Sequence, residues 1–148
     1  MNPRSYSRET VLLLVEDNPG DVRLAQEALK DGRIQNKMYV VGDGEEAMRF
    51  LRREGEFVDV ERPDMVLLDL NLPKKDGLEV LAEIQADLDL RSLPVVILTA
   101  SKVEERILKQ YNLPTECFIT KPLLAERYLD AVHCFPQLGL VIVNIAGA

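Results

Sequence analysis

The sequence predicts an α/β domain in which a doubly wound, five-stranded parallel sheet is covered by helices on both faces. Short, continuous apolar runs rich in β-forming residues alternate with segments whose apolar residues recur at helical spacing. Strands that alternate with helices require right-handed crossovers, and these place the strands parallel in one sheet. A chain of 148 residues is long enough for one such domain.

The predicted strands are short and end abruptly at polar residues. The first has the sequence VLLLV and stops at Glu16-Asp17, and the run MVLL stops at Asp69. Both are apolar throughout, as expected of strands buried on two faces. The five predicted strands are residues 11–15, 38–41, 65–68, 94–98 and 117–119.

Helical periodicity fills the intervals between the strands. After the break at Asn18-Pro19-Gly20, apolar residues recur at Val22, Ala25 and Leu29. Two further inward-facing sets are predicted: Ala47, Phe50 and Leu51; and Leu78, Leu81 and Ile84. The predicted helices are residues 21–30, 45–53, 78–86, 103–111 and 123–135, and residues 54–63 are expected to form a surface loop.

Polar side chains follow four of the five strands, at the point where each strand ends. The carboxyl ends of parallel strands lie on one edge of a sheet, so these residues should meet there: Glu16, Asp17, Asp69, Thr99 and Lys121. Each has an ordinary alternative as a helix-capping acid, a β-branched strand residue or a solvated lysine. The coincidence of all five at strand ends favours a functional site.

Such a site would need a cation, because two unit charges about 4 Å apart repel by about 4 kcal/mol at an effective dielectric constant near 20. Oxygen ligands suit Mg²⁺ or Mn²⁺. Asp69 could then attack phosphorus as a carboxylate nucleophile, while Lys121 and Thr99 bind the phosphoryl oxygens.

Composition excludes several other classes of protein. The net charge of −7 disfavours direct nucleic-acid binding. One histidine, and cysteines 117 and 134 without metal-ligand spacing, disfavour a zinc or iron site. The first residues contain no apolar segment typical of a signal peptide, and no run is long enough to span a membrane, so a cytoplasmic protein is expected.

The motifs LLVEDN, LLDLNLPKKDG, ILTAS and FITKPL resemble those of the receiver domain of bacterial two-component response regulators, over about residues 10–135. The resemblance implies a flavodoxin-like sheet of order 2-1-3-4-5. It also implies that Asp69 accepts phosphate from a kinase phosphohistidine. Mg²⁺ would be held by Glu16, Asp17, Asp69 and the Asn71 carbonyl, and Thr99 and Phe118 would form the switch.

Two residues depart from the common receiver pattern. Glu16 stands where many receivers have Asp, and Phe118 stands where Tyr is common. The whole pattern is most similar to single-domain regulators partnered with bacterial phytochrome histidine kinases. Leu24, on the flank of the first helix, is predicted to form a kinase-docking patch with Pro122 and Leu123.

The chain is expected to divide into an N-terminal tail of residues 1–9, a receiver domain of residues 10–135 and an apolar extension of residues 136–148. Read as a strand, residues 138–145 are apolar on both faces, with Leu140 and Ile142 on one and Val141 and Val143 on the other. This pattern predicts a homodimerisation arm. The alternative is that the extension covers the protein's own last helices.

Rival functions lack a residue or motif that they require. A haloacid-dehalogenase-like phosphatase needs a second Asp two residues after the first, where this chain has Asn71, and no nucleotide-binding GxxxxGK[ST] loop is present. The expected function is therefore a phosphoacceptor regulator that catalyses only its own phosphorylation and slow autodephosphorylation, and that signals by protein contact or phosphate relay. The alternative is a receiver-like binding module that acts without phosphorylation.

Overall fold

A computed structural model describes residues 10–31, 36–70, 72–99 and 118–120. Five parallel strands form one sheet of order β2-β1-β3-β4-β5, which confirms the predicted fold class and strand order. The strands are β1 (Thr10–Val15), β2 (Asn36–Val41), β3 (Met65–Asp69), β4 (Val95–Thr99) and β5 (Phe118–Thr120). The predicted helices at 103–111 and 123–135 lie outside the described residues.

The two central strands, β1 and β3, are the most deeply buried part of the sheet. Every residue of β3 is buried, as expected of a parallel strand covered on both faces. The register pairs Val15 with Leu68, so both strands reach the same edge of the sheet together. This register brings the polar residues that follow the apolar runs close to one another.

Three helices lie within the described residues: α1 (Pro19–Asp31), α2 (Gly44–Leu51) and α3 (Gly77–Ala86). Asp43 and Asp76 cap α2 and α3, because their carboxylates accept hydrogen bonds from the amides of Glu46 and Glu79. Ala47, Phe50, Leu51, Leu81 and Ile84 are buried as predicted. The side chain of Leu29 is outside the described set.

The connection between α2 and β3 is mostly exposed, as predicted for a surface loop, but part of it packs against the core. It contains a short 3-10 helix, Gly55–Phe57, and the Phe57 ring packs against Phe50 with the centroids 5.2 Å apart. Phe50 also contacts Tyr39 of β2 at 5.2 Å. Because Phe57 contributes to this aromatic group, the segment is drawn onto the core, although Val58 beside it is exposed.

A polar cluster joins the same connection to the edge strand β2. Glu61 accepts hydrogen bonds from the Lys37 ammonium at 2.7 Å and the Tyr39 hydroxyl at 2.9 Å. The hydrogen bond to Glu61 raises the pKa of Lys37, and the hydrogen bonds from Lys37 and Tyr39 lower the pKa of Glu61. Both groups therefore remain charged over a wide pH range.

Among the described residues, none of the helices has the length and apolar character needed to cross a lipid bilayer.

Candidate functional site

Three carboxylates meet at the carboxyl ends of the neighbouring strands β1 and β3. Glu16 and Asp17 follow β1 directly, and Asp69 is the last residue of β3. One carboxylate oxygen from each lies within 4.8 Å of the others. Glu16 and Asp69 are each only 3% exposed, whereas Asp17 is open to solvent. The structure thus brings together the three acidic residues that were predicted to meet because each lies at the end of a parallel strand.

Backbone hydrogen bonds fix the position of Glu16. Its N–H donates to the carbonyl oxygen of Val41 at the end of β2, at 3.0 Å. Its Oε2 accepts a hydrogen bond from the backbone N–H of Asn18 at 3.3 Å. The Glu16 backbone and side chain are thus each held by one hydrogen bond, and the longer acid at this position still reaches the carboxylate cluster.

The chain turns into a helix immediately after the acidic pair. The side-chain oxygen of Asn18 accepts a hydrogen bond from the amide of Asp21 at 3.1 Å, which caps the first turn of α1. Pro19 is the first helical residue, a position where its missing N–H costs nothing. Asn18, predicted as part of a break in the chain, also closes the turn that follows the two acids.

The end of β4 reaches the same edge of the sheet. Asp69 is paired with Leu98, so the backbone of Thr99 lies one residue further along. Thr99 pairs in turn with Thr120, the residue before Lys121 in the sequence. The Thr99 and Phe118 side chains, like Asn71, Lys121, Pro122 and Leu123, lie outside the described residues, and so does the extension containing Leu140, Val141, Ile142 and Val143.

The segment between Asp69 and α3, residues 70 and 72–76, is called the acceptor loop below. The two ends of this segment are close together. The N–H of Gly77, the first residue of α3, donates to the carbonyl oxygen of Leu70 at 3.0 Å. The carbonyl of Lys75 lies directly against Gly44 at the start of α2. Apolar patterns in a sequence record buried side chains. A contact between two backbones leaves no such pattern, so this contact was not predicted.

The donor atoms of the site fit a hard divalent cation. All three candidate ligands are carboxylate oxygens, which Mg²⁺ and Mn²⁺ prefer to the nitrogen and sulfur ligands of zinc or iron sites. Asp17 faces solvent, which leaves a way in for an ion that keeps several waters. A cation would also offset the repulsion among three carboxylates at this spacing.

The family model described as the response regulator receiver domain matches residues 12–133. Among curated proteins, the response regulator Rcp1 of Synechocystis sp. is 50% identical over 138 residues, which is 93% of this chain and 94% of that protein. The similarity therefore extends over nearly the whole length of both chains.

Three solved structures are also similar. The bacteriophytochrome response regulator AtBRR superimposes with a TM-score of 0.81 at 36% identity, covering 94% of this chain and 99% of that one. The phosphorylated cyanobacterial phytochrome response regulator RcpA gives 0.71 at 45% identity, with coverage of 85% and 91%. The Mn²⁺-bound form of Rcp1 gives 0.71 at 40% identity, with coverage of 91% and 99%.

Proposed function

The chain belongs to the response regulator receiver domain family, and from this premise we propose that it accepts a phosphoryl group on Asp69 from a phytochrome-type histidine kinase. One observation carries the proposal: Asp69 is buried at the end of the central strand with the Glu16 and Asp17 carboxylates beside it. The similarity to phytochrome response regulators supports this class of kinase.

In the proposed reaction, a carboxylate oxygen of Asp69 attacks the phosphorus of the kinase phosphohistidine. An O–P bond forms as the N–P bond breaks, and the imidazole leaves with the electron pair. Burial holds Asp69 in one orientation and limits the water that could compete as nucleophile. Thr99 and Lys121 are proposed to bind the phosphoryl oxygens, with Thr99 and Phe118 as the switch that reports the modification.

Glu16, Asp17 and Asp69, together with the Asn71 carbonyl, are the residues proposed to hold Mg²⁺ or Mn²⁺. The bound cation would supply positive charge beside the phosphoryl oxygens. The Mn²⁺-bound Rcp1 structure supports this choice of metal. We place the reaction in the cytoplasm, where a kinase has access to ATP.

The test is incubation with acetyl phosphate and Mg²⁺, followed by intact-mass measurement. We expect one phosphoryl group per chain, and none when a chelator removes the metal. The alternative function, a binding module that acts without phosphorylation, predicts no mass change under any of these conditions.

We further propose that Leu24 belongs to the surface that docks the kinase, together with Pro122 and Leu123. Leu24 is 47% exposed on α1, beside an exposed ion pair between Arg23 and Glu27. An apolar side chain that the core leaves exposed, on the helix that follows the acidic pair, is suited to contact the domain that delivers phosphate.

Leu24→Glu is expected to slow phosphotransfer from the kinase about tenfold, because a charge at a desolvated contact of this kind costs more than about 1 kcal/mol. Labelling by acetyl phosphate should be unchanged. Gln26→Glu, which adds the same charge at another exposed position of α1, is the matched control. Equal slowing with both phosphate donors would mean that the substitution damages the fold and would contradict docking.

Homodimerisation through the extension is proposed from the sequence of residues 138–145. Burying a side chain of this type contributes about 1.5–3 kcal/mol, and ordering each backbone residue costs about 1–2 kcal/mol. A strand covered on one face only would therefore barely hold, whereas a second copy related by a two-fold axis could cover both faces. The alternative is that the extension covers the protein's own last helices. A dimer through the last two helices and the last strand could form whether the extension covers a partner or its own chain.

Deleting residues 137–148 is expected to convert a dimer to a monomer, measured by light scattering with and without phosphorylation. The full-length protein at tens of micromolar is the reference. A truncated protein that remains dimeric would assign the interface to another surface.

A further inference from the structure

The acceptor loop rests on the first residue of α2 with no space between the two backbones. A Cβ atom at Gly44 would clash with the carbonyl oxygen of Lys75 and would lie 2.7 Å from its carbonyl carbon. Real Cβ contacts essentially never fall below 3.0 Å, and the obstructing atoms here are backbone. Any side chain at Gly44 would therefore have to displace the acceptor loop or α2.

A charged contact beside Gly44 joins the same two segments. Asp43 Oδ1 accepts a hydrogen bond from the amide of Glu46 at 2.7 Å, which caps α2, and Asp43 Oδ2 lies 3.6 Å from the ammonium of Lys74. Lys74 has a φ of 66°, a left-handed conformation that is uncommon outside glycine. A single carboxylate thus connects the helix cap to a loop residue with a left-handed backbone conformation.

The chain two residues after Lys75 packs against the backbone of Asp69. A Cβ at Gly77 would lie 2.5 Å from the carbonyl oxygen of Asp69 and 2.6 Å from Cα of Leu70. Asp69 itself is held in β3 and is nearly fully buried. Because Lys75 packs against Gly44 and Gly77 packs against Asp69, a displacement at Lys75 has little room to be absorbed before it reaches the backbone of Asp69.

We propose that Gly44 is a positioning residue for the phosphoacceptor, acting through the acceptor loop, and that the Asp43–Lys74 ion pair assists it. The inference rests on the proposed function of Asp69 and adds the element that fixes its orientation. The start of α2 holds the loop, and the loop holds the Asp69 carboxylate toward Glu16 and Asp17. Phosphoryl transfer depends on such orientation, because a misplacement of about 1 Å can slow a reaction about a hundredfold.

The test compares Gly44→Ala with Gly42→Ala. Gly42 lies two residues earlier, and a Cβ there meets nothing within 4 Å. At saturating acetyl phosphate and Mg²⁺, we expect Gly44→Ala to be labelled about tenfold to a hundredfold more slowly than wild type and Gly42→Ala to be labelled at the wild-type rate. Hydrogen exchange of peptides covering residues 65–78 should accelerate only in Gly44→Ala. A folded Gly44→Ala variant with wild-type labelling and exchange would overturn the inference.

Asp43→Asn provides a second variant should Gly44→Ala fail to fold. Asn is as good a helix cap as Asp but cannot form the ion pair with Lys74, so α2 is preserved while the loop loses one contact. Labelling is expected to slow about threefold, as suits loss of one weak surface ion pair. If Gly44→Ala is unfolded and Asp43→Asn is labelled at the wild-type rate, the inference fails.

Failure of the proposed function gives a different result. If wild type itself takes up no phosphoryl group, Asp69 is not an acceptor under these conditions. The role of Gly44 is then decided by hydrogen exchange of residues 65–78 and by Mn²⁺ titration. Exchange should be faster, and the affinity for Mn²⁺ lower, in Gly44→Ala than in Gly42→Ala. Unchanged exchange and unchanged Mn²⁺ affinity in Gly44→Ala would overturn the inference on these measurements alone.

Discussion

Asp69→Asn is expected to abolish phosphoryl incorporation from acetyl phosphate and from the kinase, the largest functional effect of any single substitution. The amide has nearly the shape of the carboxylate, so β3 and its buried end should keep their structure. What is lost is the anionic oxygen that attacks phosphorus. Intact mass should show one added phosphoryl group on wild type and none on the variant.

Asp89→Asn is the control for Asp69→Asn. Asp89 is exposed and precedes β4, near the amino ends of the strands. Its backbone carbonyl accepts a hydrogen bond from the Arg62 guanidinium. This variant loses one carboxylate from the surface and should be labelled like wild type. Persistent labelling of Asp69→Asn would assign the acceptor to another residue and would refute the proposed role of the carboxylate cluster.

Phe50→Ala is expected to lower the free energy of unfolding by about 3–5 kcal/mol, the usual cost of removing a buried aromatic ring. Phe50 is 2% exposed, and its ring lies between those of Tyr39 and Phe57, each 5.2 Å away. The substitution would leave a cavity and also remove two favourable ring contacts. Urea denaturation followed by circular dichroism measures the loss.

Val58→Ala is the comparison for Phe50→Ala, because Val58 is in the same region but 61% exposed. Its effect should stay within about 0.5 kcal/mol. A loss below about 1 kcal/mol in Phe50→Ala would mean that Tyr39 and Phe57 move to fill the space and that the aromatic group does not hold the connection onto the core.

Apolar periodicity predicted the described strands and helices well, because burial on one or two faces dictates which residues can occupy them. Asp69, for example, had to stand where the apolar run ends, and the structure makes it the last residue of β3. The meeting of Glu16, Asp17 and Asp69 followed from parallel strands sharing an edge. The strand order came from the resemblance to receivers, since periodicity does not determine which strands are neighbours.

Contacts between backbone atoms could not be predicted from the sequence. No sequence pattern distinguishes Gly44 from Gly42, although a Cβ at Gly44 would meet Lys75 and a Cβ at Gly42 would meet nothing within 4 Å. Likewise, Phe57 appeared in a polar connection, and only the position of Phe50 in the fold shows why its ring is drawn inward. Side-chain patterns report burial within a segment, whereas these features depend on where two distant segments meet.

The Lys37–Glu61–Tyr39 cluster has a consequence for aggregation. An edge strand such as β2 can act as a template for a strand of another chain, and proteins often prevent this with charged side chains on the edge. Lys37 places a charged side chain on that strand, and its ion pair with Glu61 brings the connection between α2 and β3 against it. The charge on β2 and the connection packed beside it therefore disfavour the addition of a strand from another chain at this edge of the sheet.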